Sequence, residues 1–596
     1  MRSVHIDKSV LTTLTANGKE ICPFFGVLLG QETKAGWHIT GCCHFIDPSP
    51  EKFTAQKESV SQYLSGGLQI SGIFLETHSL LEKDIANTVS KYSNRHQNGL
   101  VICVRQNKDN KFSEDNIFLS TDLNHVQKPT VSITEDGPPL ITIRLRHSVT
   151  LSVRVDGKKG SLKNGLSSVI ENLCNTLSAA STVYRLQDTP VVFSRTSLVG
   201  VTSEDVCSSL LDLSNADQDE FVRGKQKQSK SKIERTLHCD LLQNITVTDG
   251  TSEGPLCAPI IQHNLEKFKA VKLTLPIDVC CQVHPDAMVT TLGEYMTTAI
   301  CNQLRAMRDC FIKNTEGDTL PNVQSFHFQP WKSSAMITVI YPEGKTEEEL
   351  ESRRRELHSL FCMSMSRPVF RRGNAFLFPE NIIQYGYLIN PHQYITTQSM
   401  KGGTQYLVQG LYSYHHYMQD RFDDNMWGCA YRSLQTLVSW FQLQGYTNKP
   451  IPTHREIQQV FVDVGDKEPK FVGSRQWIGS MEVSYCLDHI IGITSRIAFV
   501  SEGSELVTKG RELAQHFEVQ GTPVMIGGGV LAHTILGVDF NEVTGDVKFL
   551  ILDPHYTGAE DLKVILDKGW CGWKGMEFWD KTAHYNMCLP QRPVVI

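Results

Sequence analysis

The stretch Asp423-Asp424-Asn425-Met426-Trp427-Gly428-Cys429-Ala430-Tyr431-Arg432 decides how the chain is read. Asp and Asn suit the cap of a helix, where a short side-chain oxygen accepts a free N–H of the first turn. After Gly428 the apolar residues Ala430, Leu434, Leu437, Val438 and Phe441 recur at helical spacing, one face of a helix laid on a core. Cys429 then falls in the first turn. The unpaired amides there carry partial positive charge, which favours a thiolate and lowers the thiol pKa. A nucleophilic cysteine needs that placement. A buried structural cysteine would leave the same local pattern, because cysteine is among the most buried residue types.

A nucleophile needs a base, and Leu550-Ile551-Leu552-Asp553-Pro554-His555 offers one. Pro554 lacks an N–H and pushes Asp553 toward extended geometry, where residues two apart point the same way. Asp553 is therefore predicted to orient His555 at the end of a buried strand. A cysteine with a histidine held by an acid is the general arrangement of thiol catalysis. An Asp-Pro turn with an exposed histidine is the plainer reading. Ala532-His533-Thr534 supplies a rival, a histidine at the head of an apolar strand, and spacing leaves a Cys429, His533 and Asp553 set open. A hydrogen-bonded core histidine is the plain reading of His533. Tyr417 offers a phenol just upstream of Cys429 that could bind a developing oxyanion, as could the Cys429 amide. One such donor contributes roughly 3–4 kcal/mol in a protease. Packing aromatics would look the same.

Other features point away from alternative chemistry. Gly527-Gly528-Gly529 lacks the Gly-Lys-Ser/Thr ending of a phosphate loop and reads as a tight turn beside a substrate strand. Cys571, His584 and Cys588 lack Cys-x-x-Cys spacing, so neither a metal nor a cofactor is expected. The net charge of −6 gives no bias toward nucleic acid. The 17 cysteines are odd in number and have no repeated spacing, which argues for a reducing compartment over a disulfide scaffold. Asp7 and Lys8 interrupt the N-terminus, so it is not a signal peptide. No run of about 18 apolar residues is present, which predicts no direct membrane insertion.

The 596 residues suggest about three to five domains, and four segments are predicted: 1–152, 153–236, 237–388 and 389–596. The first is mixed α/β, with strand-like Phe24 to Leu29 and Gln69 to Leu75. It resembles the MPN fold of metal-dependent deubiquitinases through Leu28-Leu29-Gly30 and Glu76-Thr77-His78. It has no His-x-His pair to hold zinc, which implies a metal-free binding module. The second segment ends in a charged, apolar-poor stretch, 216–236, read as a flexible linker. The third is mixed α/β and carries a capping-box pattern at Thr346 and Glu349, followed by Leu350, Leu357, Leu360 and Phe361 at helical spacing. In the last, a helix after Cys429 and another over Glu505 to Phe517 precede strands at Val524 to Ile526, Thr534 to Val538 and Val547 to Leu552. A nucleophile helix followed by strands is the order of a papain-like α/β (α+β) cysteine protease.

Longer words then become recognisable. Gly410 to Thr436, Pro452 to Gln459, Phe471 to Gly479, Thr522 to Thr534 and Asp553 to Gly558 resemble the ubiquitin-fold modifier-specific proteases, a papain-like family. The match covers essentially all of 395–596. A weaker one to the longer of the two protease types runs through 260–395, and the first 150 residues look like an added extension. The resemblance implies Cys429 as nucleophile, His555 as base, Asp553 as the third member and Tyr417 as oxyanion donor. It thereby selects His555 over His533. Met426 departs from the family pattern, which has glycine there. The implied reaction is hydrolysis after the modifier's C-terminal glycine, both in its precursor and in its conjugates. The longer type also implies an endoplasmic-reticulum membrane adaptor as partner, with a cytoplasmic chain recruited to that membrane's cytosolic face and a share in the nucleus. An autophagy-type deconjugating protease shares Gly-Cys on a helix and Asp-Pro-His on a loop. A non-catalytic scaffold that binds the modifier is the alternative of another class.

Overall fold

The computed structural model describes residues 3–596 apart from 17–22, 34–35, 78–79, 93–99, 107–115, 123–124, 135–139, 156–160, 220–235, 244–267, 316–318, 332–334 and 396–398. Most of the stretch expected as a linker, and residue 78 of the MPN-like words, lie outside the described residues. The chain forms two compact units. The first runs up to residue 345 and takes in 356–364; the second comprises 346–355 and 365–596.

The first unit is mixed α/β. Its larger sheet has eight strands, with Gln69–Thr77, Phe25–Thr33 and Gly36–His44 at the centre. Val27, Leu28 and Leu29 are fully buried there, so this sheet is covered on both faces. A second sheet of six strands is built on Ile141–Val155, paired antiparallel with Lys269–Val283 along its whole length. Helices Ser161–Leu177 and Leu292–Asn314 pack against this sheet. The first of them does so through Leu162, Leu166, Ile170, Cys174 and Leu177, a stripe of helical period.

The second unit is a seven-stranded antiparallel sheet with helices against it. Ser495–Val500, Tyr585–Pro590, Val524–Gly528, Leu531–Phe540, Val547–Leu552 and Cys571–Lys574 lie side by side in that order. Thr404–Leu407 adds to Leu531–Phe540 beyond a register shift between Ile535 and Gly537. A Cβ on Gly537 would meet the Tyr406 carbonyl oxygen at 2.6 Å, so glycine lets that strand close in.

The helix Cys429–Leu443 is buried almost all round, polar residues included, with Leu434, Leu437, Val438 and Phe441 fully buried. It packs on Leu531–Phe540 and Val524–Gly528, while Ser480–Ile491 packs on it in turn. Burying each large side chain contributes about 1.5–3 kcal/mol, so packing holds this helix at the centre of the unit. A mixed α/β chain with a papain-like peptidase domain at its C-terminus is the architecture expected above.

Two local expectations change. Over Glu505 to Phe517 the chain makes a 3-10 segment, Gly503–Lys509, before the helix Gly510–Val519. Gly510 lies against the Phe540 ring, where a Cβ would sit 2.7 Å from a ring carbon, so the helix begins at the residue that can approach the sheet. The acidic run 423–425 does not cap the Cys429 helix by side chain. Gly428 is its N-cap, and its amide donates to the Asp424 carbonyl at 2.9 Å.

Candidate active site

Cys429 is the first residue of its helix, so its thiol stands in the field of the unpaired first-turn amides. Gly428 allows this. A Cβ there would lie 2.6 Å from the Asp424 side chain, which is itself fully buried. Asp424 is held in turn. Arg432 Nε donates to its Oδ2 at 2.6 Å, and the Met418 amide donates to its Oδ1 at 2.8 Å. Arg432 also donates to Asp420 at 2.9 Å and to the Gln419 carbonyl at 2.9 Å. The loop between Tyr417 and Cys429 is thus pinned from inside by one buried guanidinium. That loop is strained: Met418, Asp420, Arg421 and Met426 all have positive φ, between 58° and 67°. Each such residue costs of order 1–2 kcal/mol, and the conformation persists because its surroundings over-determine it.

The base segment is a turn after the strand Val547–Leu552, not a continuation of it. The expected extended geometry is replaced by an Asx arrangement. Asp553 Oδ1 accepts the His555 amide at 3.0 Å and the His555 Nδ1 proton at 2.5 Å. One carboxylate oxygen therefore fixes both the backbone and the ring of the histidine. Nε2 of His555 is buried and makes no conventional hydrogen bond, and it is the Cys429 thiol that this imidazole engages. Burial pushes the thiol pKa up, but the hydrogen bond and charge of His555 outweigh it, aided by the Tyr417 hydroxyl and the Ala532 backbone. The net result lies below the ordinary thiol value. Burial pulls His555 down, while Asp553 and Cys429 raise it further, to about 9. The two opposed shifts favour a thiolate facing an imidazolium.

Tyr417 is buried, and its ring meets the His555 ring edge-on with centroids 5.2 Å apart. Its hydroxyl touches both the Cys429 thiol and the Cys429 amide. Burial first, then the charge on Cys429, push that phenol well up, which keeps it a proton donor. Tyr417, Cys429, Asp553 and His555 are thus brought to one point from three segments. His533 lies on the other carboxylate oxygen, its Nε2 3.9 Å from Asp553 Oδ2. Burial holds its ring neutral by pulling it down to about 4. The possible ligand atoms of His533, Asp553 and His555 lie within 4.8 Å of one another, and two of the three already share a hydrogen bond.

A cleft of about 470 Å³ opens beside Cys429, lined among others by Trp427, Trp477, Gly527, Gly529 and Ala532. Gly529 makes the hairpin turn between Val524–Gly528 and Leu531–Phe540 with φ of 59°. A Cβ on Gly528 would lie 2.2 Å from the Tyr585 ring, so that glycine is required by packing. Met426 is 81% exposed and does not line the cleft. Its side chain leaves the cleft free, and its positive φ explains why glycine would suit the position.

Residues 403–588 match Peptidase family C78, and residues 167–383 match the N-terminal region of Ubiquitin-fold modifier 1 specific protease 2. The chain is 47% identical over 463 residues to Ufm1-specific protease 2 of Gallus gallus, covering 76% of this chain and 100% of that one. The chain belongs to the Ufm1-specific proteases. The Homo sapiens member of that family is 48% identical over 440 residues, which is 73% of this chain and 94% of the human one. The crystal structure of UfSP from C. elegans superposes with a TM-score of 0.67 at 27% identity and full coverage of both chains. As a Ufm1-specific protease of the C78 type, the chain is a cysteine peptidase, and neither the autophagy-type reading nor a non-catalytic scaffold is favoured.

Reading the sequence missed Arg432 and the work done by Asp424. The one cue was faint: an arginine inside a helix expected to pack on a core, eight residues after an acid. An arginine there has to be paired inside the protein.

Proposed function

We propose that this protease hydrolyses the bond after the C-terminal glycine of the ubiquitin-fold modifier, maturing the precursor and removing the modifier from conjugated proteins. The observation that carries the proposal is the meeting of a lowered thiol with a raised, carboxylate-held imidazole beside a glycine-lined cleft. In this reading the Cys429 thiolate attacks the glycyl carbonyl. The Tyr417 hydroxyl and the Cys429 amide stabilise the oxyanion. His555, already protonated, gives its proton to the leaving amine as the C–N bond breaks and the thioester forms. His555 then takes a proton from water, whose oxygen attacks the thioester; the Cys429 thiolate leaves, and the modifier's new carboxyl group loses the second proton to solvent. Asp553 keeps the imidazole aligned throughout. Glycine at the cut passes between Trp427, Trp477 and the 527–529 turn, and most of the affinity comes from the modifier's folded surface.

The relatives' printed names supply the modifier as substrate. No described helix is long and apolar enough to cross a membrane. In this reading residence at the cytosolic face of the endoplasmic reticulum, with a share in the cytoplasm and nucleus, comes through a membrane adaptor bound by the segments ahead of 389. The test is covalent trapping: modifier bearing a C-terminal electrophile, with an autophagy-type probe in parallel, and the adduct located by mass spectrometry. An adduct on Cys429 with the first probe alone supports the assignment. An adduct on another residue, none at all, or one with the second probe alone overturns it.

A further inference from the structure

Tyr417 and Asp553-Pro554-His555 come from distant parts of the chain, so something other than sequence proximity has to set their spacing. Tyr414 Oη donates to the Asp553 carbonyl, and the Tyr417 amide donates to the Pro554 carbonyl at 2.9 Å. The His416 ring completes the join. Its Nδ1 proton is shared between the carbonyls of Tyr417, at 3.0 Å, and Tyr556, at 3.1 Å. Its Nε2 meets Glu560 Oε1 at 2.9 Å. Glu560 also accepts from Gln419 Nε2 at 2.5 Å and from the Leu388 amide at 3.3 Å. Carbonyl oxygens thus face one ring nitrogen and a carboxyl oxygen the other, so both nitrogens are engaged. The ring is 1% exposed and lies between Tyr414 and Tyr556, each 4.9 Å away by centroid.

We propose that His416 and Glu560 are positioning residues for the peptidase, a clamp that sets the Tyr417 hydroxyl over Cys429. Neither touches the thiol or the cleft. They act by tying the Tyr417 carbonyl to the residue that follows His555. His555 itself is already locked by the Asp553 turn, so loosening the clamp frees chiefly the Tyr417 side. Burying polar side chains is costly unless they are hydrogen-bonded, and apolar residues would fill the space as well or better. What the His416 and Glu560 hydrogen bonds add is directed geometry between two segments. A displacement of about 1 Å at such a site lowers turnover by about 100-fold.

The clamp rests on the roles proposed above for Tyr417 and His555, and the experiment separates the two failures. Cleavage of modifier precursor by the full chain is measured for Glu560→Gln and His416→Asn, alone and with Tyr417→Phe. Each is accompanied by a melting curve and by the rate of Cys429 alkylation with iodoacetamide. We expect kcat to fall about 10- to 100-fold with KM within about twofold and Cys429 alkylation no faster than in the parent chain. In the Tyr417→Phe background the clamp substitutions should lower kcat little further, because they act through the phenol. If the loss recurs in full there, or if a folded Glu560→Gln variant keeps its kcat, the clamp is wrong. If Tyr417→Phe alone leaves kcat intact, the oxyanion assignment falls first. Should His416→Asn unfold, Glu560→Gln gives the same readout, because it keeps its shape at a partly exposed position.

Discussion

At the scale of single residues the chemistry depends on two opposed pKa shifts. Burial acts against both charged forms, yet the thiol of Cys429 ends low and the imidazole of His555 ends near 9, because each supplies the other's counter-charge and Asp553 adds to the second. Alkylation of Cys429 should therefore be fast already at neutral pH, and turnover should fall as pH rises through about 9, where His555 loses the proton the leaving amine needs. A pH series of both rates checks this; a turnover profile still rising past that value would contradict it. The same shift has a sign for stability. The native state binds the His555 proton more tightly than the unfolded chain, so its stabilisation is complete below the ordinary value of 6.5 and is lost as pH rises through about 9. Cys429→Ala should abolish cleavage. His555→Ala should lower kcat by at least about 1000-fold, against about tenfold for His533→Ala, whose ring meets Asp553 only at 3.9 Å. Steady-state kinetics of folded variants decide the order. Met426→Gly should stabilise by about 0.5–1 kcal/mol in chemical denaturation with turnover unchanged, since it relieves a left-handed backbone at an exposed side chain.

At the scale of elements, the Cys429 helix is placed by packing and anchored by charge. Its apolar face was legible from spacing alone. Its anchor was not, because the pair Asp424 and Arg432 reads in sequence as a solvated acid and a solvated base. Folding takes both out of water, 2.6 Å apart. Asp424→Ala should destabilise by about 3 kcal/mol by taking from a buried guanidinium its fully buried carboxylate, leaving it only the partly exposed Asp420. It should also lower kcat, because the strained loop from Met418 to Met426 loses what holds it. Equilibrium unfolding with kinetics checks both, and unchanged stability would show the anchor to be idle. The Asp-Pro-His segment was read as extended and is a turn. The reason is local: the Asp553 carboxylate can bond the amide two residues on, and that bond wins over continuation of the strand.

At the scale of the whole molecule, the second unit begins before residue 389 and takes in 346–355 and 365–388. Arg354 Nε donates to the Ile596 carbonyl at 2.9 Å, and Glu347 is bonded by both Arg354 and Arg372 at 2.6 Å. These buried bonds close the end of the chain onto the unit. A fragment starting at 346 should keep a cooperative melt and a reactive Cys429, whereas one starting at 389 should lose several kcal/mol or fail to fold. Melting curves of the two fragments test this, and equal stability would overturn it.

Sequence alone determined the peptidase class, the Cys429 helix, three of the strands that follow it and the four candidate residues now found together, because helical and strand periods and long family words are local properties. Only the tertiary structure decided that one Asp553 oxygen holds both the amide and the ring of His555, that Gly428 makes room for a buried acid, and that His416 spans two segments. Each of these depends on distances between residues far apart in the chain, and periodicity carries no record of such distances.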